Sequence, residues 1–336
     1  MRDAAGMTIP AIDLEPFAIG TDLPSPRASA VAAEIDAALR EVGFVTVVGH
    51  GVTDAVKQAY FDAMREFFDL PVAAKEEIAI GLSAYHRGYV GFEAESLDGA
   101  LGNDEDAIGN ATAGDLKETL DTGTDHPPDH PLVVAGTPLH GPNQMPDLPG
   151  FRAAYDAYRA AVVEAALRMQ RGMAMALGLA PGFFEDQPGE TMLHLRLIHY
   201  PPQSRVTPAP GQLGCGAHTD YGTLTVLADD GVGGLQVRRR SGEWVDVAVP
   251  DGHLVINIGD LMAIWTNDRW VSNPHRVVNP VGADRYSSPL FVTPPFHLRI
   301  ETLPTCLDAD GSSRHAPLVS GPYLLSRFDG THAYRT

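Results

Sequence analysis

Apolar residues recur at helical spacing twice in the first 80 positions. "SPRASAVAAEIDAALREVG" opens on a serine suited to cap a helix, and Gly43 stops the pattern. "FVTVVGHG" follows, a β-branched run ended by glycines, which predicts a strand. "TDAVKQAYFDAMREFFDLP" is a second amphipathic helix, with Thr53 as N-cap and Pro71 beyond its end. "TIPAIDLEPF" ahead of them reads as a short strand and turn, and "VAAKEEIA" after them as a short third helix.

The periodicity then lapses. Residues 81–148 are rich in Gly, Pro, Asp and His, as in "AGTPLHGPNQMPDLPG", and read as an irregular segment, either a lid or a surface excursion. A long helix returns in "LPGFRAAYDAYRAAVVEAALRMQRGMAMALGL". After residue 190 short β-rich runs follow one another: "MLHLRLIHY", "TLTVLADD", "GLQVRRR", "WVDVAV", "HLVINIG", "HRVVNP" and "RYSSPLFVTP", separated by Gly, Pro and Asp-Gly turns. Such spacing predicts a mainly β fold with flanking helices, a sandwich or jelly roll. The expected organisation is a single catalytic domain over 1–336. It comprises an N-terminal helix and strand region (1–80), a lid-like segment (81–148), helices (149–190), a jelly-roll core (191–300) and a C-terminal segment (301–336).

Composition narrows the classes. The chain has 336 residues, 44% hydrophobic and 20% charged, as a folded protein has. Its net charge of −19 opposes binding to nucleic acid or to anionic membrane surfaces. No apolar run approaches the eighteen residues of a membrane span. The start, "MRDAAGMTIPAIDL", lacks the apolar stretch of a secretory signal, and two cysteines make no disulfide framework, so a cytoplasmic location is the default expectation.

The chemistry concentrates in "GAHTDYGTLTVL". On a strand, residues i and i+2 share a face, so His218 and Asp220 are expected to point the same way. His275 in "SNPHRVVNP" starts a β-branched run 55 residues after Asp220 and is the best third ligand. Two histidines and a carboxylate on adjacent strands match the facial triad of non-haem Fe(II) oxygenases, which leaves positions open for a chelating co-substrate and O2. A structural zinc site would close all four. Ten residues further on, Arg285 and Ser287 in "RYSSP" are again i and i+2, and a guanidinium with a hydroxyl suits a carboxylate.

"HTDYGTLTVL", "GGLQV", "INIGDLMAIWTN", "NPHRVV" and "RYSSPLF" resemble the C-terminal half of the Fe(II)/2-oxoglutarate-dependent dioxygenases, in the branch that includes isopenicillin N synthase. "IPAIDL", "EVGFVTVVGHGV", "YHRGYVGFEAE" and "DLKETLDTG" resemble the earlier segments of that branch. The resemblance implies a double-stranded β-helix core, Fe(II) on His218, Asp220 and His275, and the distal carboxylate of 2-oxoglutarate on Arg285 and Ser287. Tyr200 in "LIHYPP" matches the family tyrosine that helps hold that carboxylate, although Ile198 stands where plant-type members have asparagine. It also implies oxidation of an unactivated C–H bond of a small molecule, hydroxylation above all, with release of succinate and CO2. In the isopenicillin branch an arginine in an "RGY"-like stretch pairs with the substrate carboxylate. That assigns Arg87 to the substrate, with Tyr85 and Phe92 as apolar wall; the competing reading is a structural salt bridge.

Two other classes stay open at this point. One is an oxidase using the same triad without 2-oxoglutarate, disfavoured because "SRFDGTHAYRT" holds no glutamine. The other is a non-catalytic or zinc-binding β-barrel. Of the remaining residues, Gly222, Gly233 and Gly234 are expected in turns or bulges, Asn257 and Asp260 as turn stabilisers, Trp265 and Phe291 in core or pocket wall, and Cys215 as a small buried residue. A glycine- and alanine-rich composition associates the chain with secondary metabolism.

Overall fold

The structure is a computed structural model and describes residues 9–97 and 114–329. The chain opens with β1 (Ala11–Asp13), α1 (Pro26–Glu41), β2 (Phe44–Val48), α2 (Asp54–Phe68) and α3 (Val72–Glu76). Ser25 Oγ accepts from Ala28 N at 3.2 Å and Thr53 Oγ1 from Val56 N at 3.3 Å, so both expected caps form. Gly43 ends α1 at φ +73°, and a Cβ there would stand 1.9 Å from Val271 O, so no larger residue fits.

The segment expected to be irregular contains β3 (Gly88–Val90) and β4 (Glu118–Gly123), with the short α4 (Pro131–Val134) beyond. This corrects the sequence reading: β4 pairs along its whole length with the next strand and extends the main sheet. Its residues Glu118, Thr119, Asp121 and Thr122 are polar yet buried, so no apolar alternation marked it as a strand. Residues 98–113 of the lid-like segment lie outside the described residues.

α5 (Phe151–Ala176) precedes β5 (Met192–Tyr200), β6 (Cys215–His218), β7 (Leu224–Asp229), β8 (Leu235–Arg238), β9 (Trp244–Asp246), β10 (Leu254–Ile258), α6 (Asp260–Trp265), β11 (His275–Val277) and β12 (Arg285–Thr293). The chain then passes through β13 (Arg299–Ile300) and β14 (Leu318–Val319) to α7 (Ser320–Asp329). The large sheet runs β1-β2-β10-β7-β12-β5-β4-β3, and the small one β6-β11-β8-β9. Apart from the parallel β1–β2 pair, the ladders of both sheets are antiparallel.

The period of two decides what each face of the large sheet does. Leu195 and Leu197 on β5, Leu224 and Val226 on β7, Leu254 and Ile256 on β10, and Leu290 and Val292 on β12 join α1, α2 and α5 in the main core. Burying each large apolar side chain contributes about 1.5–3 kcal/mol. The intervening residues Arg196, Ile198 and Tyr200, Thr225 and Leu227, Asn257, and Arg285, Ser287, Pro289 and Phe291 face the space between the sheets.

Candidate active site

β11 pairs with β6 so that His275 lies opposite His218, with ring centroids 4.3 Å apart. β6 ends at His218, so Asp220 reaches the same point from the loop beyond, not from a shared strand face as the i, i+2 argument assumed. Nε2 of each histidine stands 3.7 Å from Asp220 Oδ1. The other atom of each group is engaged. His218 Nδ1 faces Gly216 O at 2.8 Å and His275 Nδ1 faces Asn273 O at 3.3 Å. Asp220 Oδ2 accepts from Thr225 Oγ1 and from Asn257 Nδ2 at 2.7 Å. Two imidazole nitrogens and one carboxylate oxygen are thereby turned towards one another, a donor set that fits Fe(II) with positions open.

Burial raises the Asp220 carboxyl, but the facing His275 and His218, then Asn257 and Thr225, more than offset it and hold it below its ordinary value. Burial, then the neighbouring His218, pushes His275 down to about 4, so it is neutral near pH 7 as a ligand must be.

Sequence reasoning placed Asn257 and Asp260 in a turn. Asn257 instead fixes the Asp220 carboxylate, and the one available signal was its inward parity in "LVINI". Thr225 was missed for the same reason. Asp260 N donates to Asp220 O at 2.7 Å, and its carboxylate accepts from Ser272 Oγ at 2.7 Å and Tyr323 Oη at 3.1 Å.

Beside the triad, a partly open space of about 560 Å³ is lined by Arg285, Ser287, Tyr200, Ile198 and Lys117 among others. Arg285 is fully buried. Its Nε donates to Gly233 O at 2.6 Å and its Nη1 to Ser287 Oγ at 3.0 Å, and the guanidinium lies 4.8 Å from the Tyr200 ring centroid. Nη2 has no hydrogen-bond partner among the described residues; the Asp229 carboxylate is 3.9 Å away. A buried guanidinium with a free donor fits a carboxylate guest. Burial pushes the Tyr200 phenol up to about 12, so it stays a neutral donor.

A larger cavity of about 880 Å³ shares His218, Asp220, Arg196 and Phe291 with this space. Arg87, His126, His140, Glu190 and His194 border it, with Leu324 and Phe328 of α7. Arg87 is buried, and burial lowers it to about 10, still charged. It donates to the carbonyls of Tyr85, His86 and Leu139. Among the described residues it makes no hydrogen bond to a carboxylate, and its Nε lacks a partner. Tyr85 and Phe92 are not among the cavity-lining residues: Tyr85 packs on Gly141, and Phe92 is 42% exposed. Phe291 lines both spaces as expected, and Trp265 is core. Cys215 is buried, with Lys117 Nζ 3.4 Å from its sulfur.

Arg196, which lines both spaces, belongs to a charged network that sequence reading did not find. Arg196 pairs with Asp121 at 2.7 Å and Glu95 at 3.1 Å, and Lys117 with Asp115 at 2.6 Å and Glu95 at 2.9 Å. Asp121 also faces His194 Nε2 at 2.7 Å. The partners are up to about a hundred residues apart in the chain, so no local pattern announces them.

Residues 191–294 match the family described as the 2OG-Fe(II) oxygenase superfamily, and residues 9–148 the N-terminal region of the non-haem dioxygenase in morphine synthesis. The 2-oxoglutarate-Fe(II) type oxidoreductase hxnY of Emericella nidulans is 35% identical over 97% of this chain and 92% of its own. The homoarginine-6-hydroxylase 2-ODD-C23 of Glycine max is 34% identical over 95% of this chain and 96% of its own. Among solved structures, a full-length Neurospora crassa protein in complex with alpha-KG and thymine superposes with a TM-score of 0.78 at 29% identity, covering 98% of both chains. The chain belongs to the 2OG-Fe(II) oxygenase superfamily and is an Fe(II)- and 2-oxoglutarate-dependent dioxygenase with a jelly-roll core.

Proposed function

We propose that His218, Asp220 and His275 hold the Fe(II), that Arg285, Ser287 and Tyr200 hold the far carboxylate of 2-oxoglutarate, and that a small carboxylate-bearing substrate is hydroxylated in the larger cavity. When bound, the iron and 2-oxoglutarate supply oxidative decarboxylation to succinate and CO2 coupled to attack on a C–H bond. The protein positions and encloses. The observation that carries the reading is the pairing of three inward-facing ligand atoms with a buried arginine whose Nη2 lacks a partner among the described residues.

The network around Arg196 sets two cations, Arg196 and Lys117, against the three carboxylates of Asp121, Glu95 and Asp115, and Arg196 lines both spaces. Phe291 and Phe328 supply apolar wall. Arg87, charged and with no hydrogen-bonded carboxylate among the described residues, is the group for a substrate carboxylate. Homoarginine in the soybean relative's name is a molecule of that class. Among the described residues no helix is long and apolar enough to cross a membrane. A cytoplasmic location and a role in secondary metabolism belong to the same proposal, on composition and cysteine usage.

The test is succinate formation from 2-oxoglutarate with a panel of small carboxylates and their primary amides. Carboxylates should stimulate turnover more than the amides, and Arg87→Gln should erase that difference. Equal stimulation by both in the wild type removes Arg87 from the substrate. Normal substrate oxidation without 2-oxoglutarate removes the co-substrate assignment.

A further inference from the structure

Outside the triad, one more set of ligand side chains converges among the described residues. His126, His130 and Glu190 bring two imidazole nitrogens and a carboxylate oxygen within 4.8 Å of one another. His126 and Glu190 border the large cavity. His126 Nε2 lies 3.0 Å from Glu190 Oε1 but off the line a hydrogen bond needs, and it has no other hydrogen-bond partner among the described residues. Its residue is only 5% exposed, so the atom is buried without a hydrogen bond, which is unfavourable unless a ligand engages it. His130 Nε2 faces the other oxygen, Oε2, at 4.0 Å.

The backbone prepares this arrangement. Pro127 and Pro128 separate the histidines in "DHPPDH" and restrict their φ angles. His126 N donates to Gly141 O at 3.2 Å and His130 N to Pro127 O at 3.0 Å. The two rings stack at 4.1 Å with 19° between their planes. Both imidazoles therefore present to one carboxylate from one side.

We propose that His126, His130 and Glu190 form a second divalent-cation site at the rim of the substrate cavity, suited to a borderline ion such as Zn2+. Two imidazoles and one carboxylate are a zinc-type donor set, whereas Mg2+ and Ca2+ favour all-oxygen shells. Three protein ligands leave one position for water or for an anionic group in the cavity. Binding through His130 Nε2 moves the ring proton to Nδ1 and gives up one long contact, the 3.4 Å bond from Leu132 N. The site stands apart from the triad, and its test reads metal content, not turnover.

Tag-free protein is dialysed against excess Zn2+ in the presence of Mg2+, and bound zinc is counted by elemental analysis. Zinc fills the triad as well, so the wild type should hold two ions per chain. His130→Ala should hold one, His218→Ala/Asp220→Ala one, and the combined variant none. A single ion in the wild type that His130→Ala retains overturns the proposal, as do two ions in both the wild type and His130→Ala; a single ion lost only in His130→Ala supports it and counts against the triad instead. Glu190→Gln keeps the size of the side chain and should weaken the second ion at least about tenfold, since even outer partners of a metal ligand are worth 10–100-fold. Unchanged affinity in Glu190→Gln overturns it equally, and this arm decides if His130→Ala fails to fold by thermal melting.

Discussion

At and beside the triad, His218, His275, Arg285 and Ser287 stand on β6, β11 and β12, and Asp220 is tied to β7 and β10 through Thr225 and Asn257. Across the larger cavity, Arg87, His126, Glu190 and Phe328 come from a strand approach, two loops and the C-terminal helix. In the first group the second polar atoms of His218, His275 and Asp220 are engaged by a strand or its immediate neighbour, and only Arg285 Nη2 is left without a hydrogen-bond partner among the described residues. The second includes polar atoms with no hydrogen-bond partner among the described residues, at Arg87 Nε and His126 Nε2. Chemistry shared by a superfamily needs ligand atoms held within a fraction of an ångström, and a sheet ladder provides that. Substrate choice needs variation, and loops that border the ladder without belonging to it provide that.

The sharpest way to break this comparison is at the triad. Replacing His218, Asp220 or His275 by Ala should abolish 2-oxoglutarate turnover, as should an iron chelator, measured as succinate released. Full turnover in any one variant removes that residue from the metal.

Next in size is the attachment of β4 to the ladder. Glu118 is buried between Lys75 at 2.6 Å, His199 at 2.7 Å and Tyr89 at 2.7 Å. Burial raises its carboxyl, but bonds from His199, Lys75 and Tyr89 more than compensate and hold it below its usual value. A carboxyl depressed by folding stabilises above its unfolded pKa and loses that contribution as pH falls. Glu118→Gln should therefore cost about 3–5 kcal/mol near pH 7 and much less near pH 3, read from denaturant midpoints. A pH-independent difference would show that β4 is held by packing.

Arg285→Gln should raise the 2-oxoglutarate KM by about 2–5 kcal/mol, thirtyfold or more, because it removes one partner of a desolvated charge pair. The smaller effect is at Asn257. Asn257→Ala leaves the ligands in place but frees Asp220 Oδ2 on one side, so Fe(II) affinity should fall about 10–100-fold with the 2-oxoglutarate KM little changed. If Phe328→Ala, at the other end, alters the 2-oxoglutarate KM as strongly as Arg285→Gln does, the two ends are not independent.

The convergence of His218, Asp220 and His275 was legible because its signals are local. His218 and Asp220 are two residues apart, Arg285 and Ser287 likewise, and each sits in a β-rich run bounded by turn residues. Even there the geometry differed, since the strand ends at His218 and Asp220 arrives by a loop. Of the residues assigned to the substrate, Arg87 and Phe291 line the larger cavity. Tyr85 and Phe92 were placed by proximity to Arg87 in sequence, but Tyr85 covers Gly141 and Phe92 faces solvent. The cavity's other groups, His126, Glu190, His194 and Phe328, are scattered over about two hundred residues.

Sequence alone determined α1, α2 and α5, the caps of the first two, and most of the strand runs after residue 190, because these depend on periods of 3.6 and 2 and on nearest neighbours. Tertiary structure decided that the polar strand β4 joins the sheet, that Asn257 and Thr225 grip the Asp220 carboxylate, and that Arg196, Lys117, Glu95 and Asp121 form one buried network. Burying those charges is favourable only when every partner arrives together. That condition is set by how distant strands close over the cavity, and no window along the chain contains it.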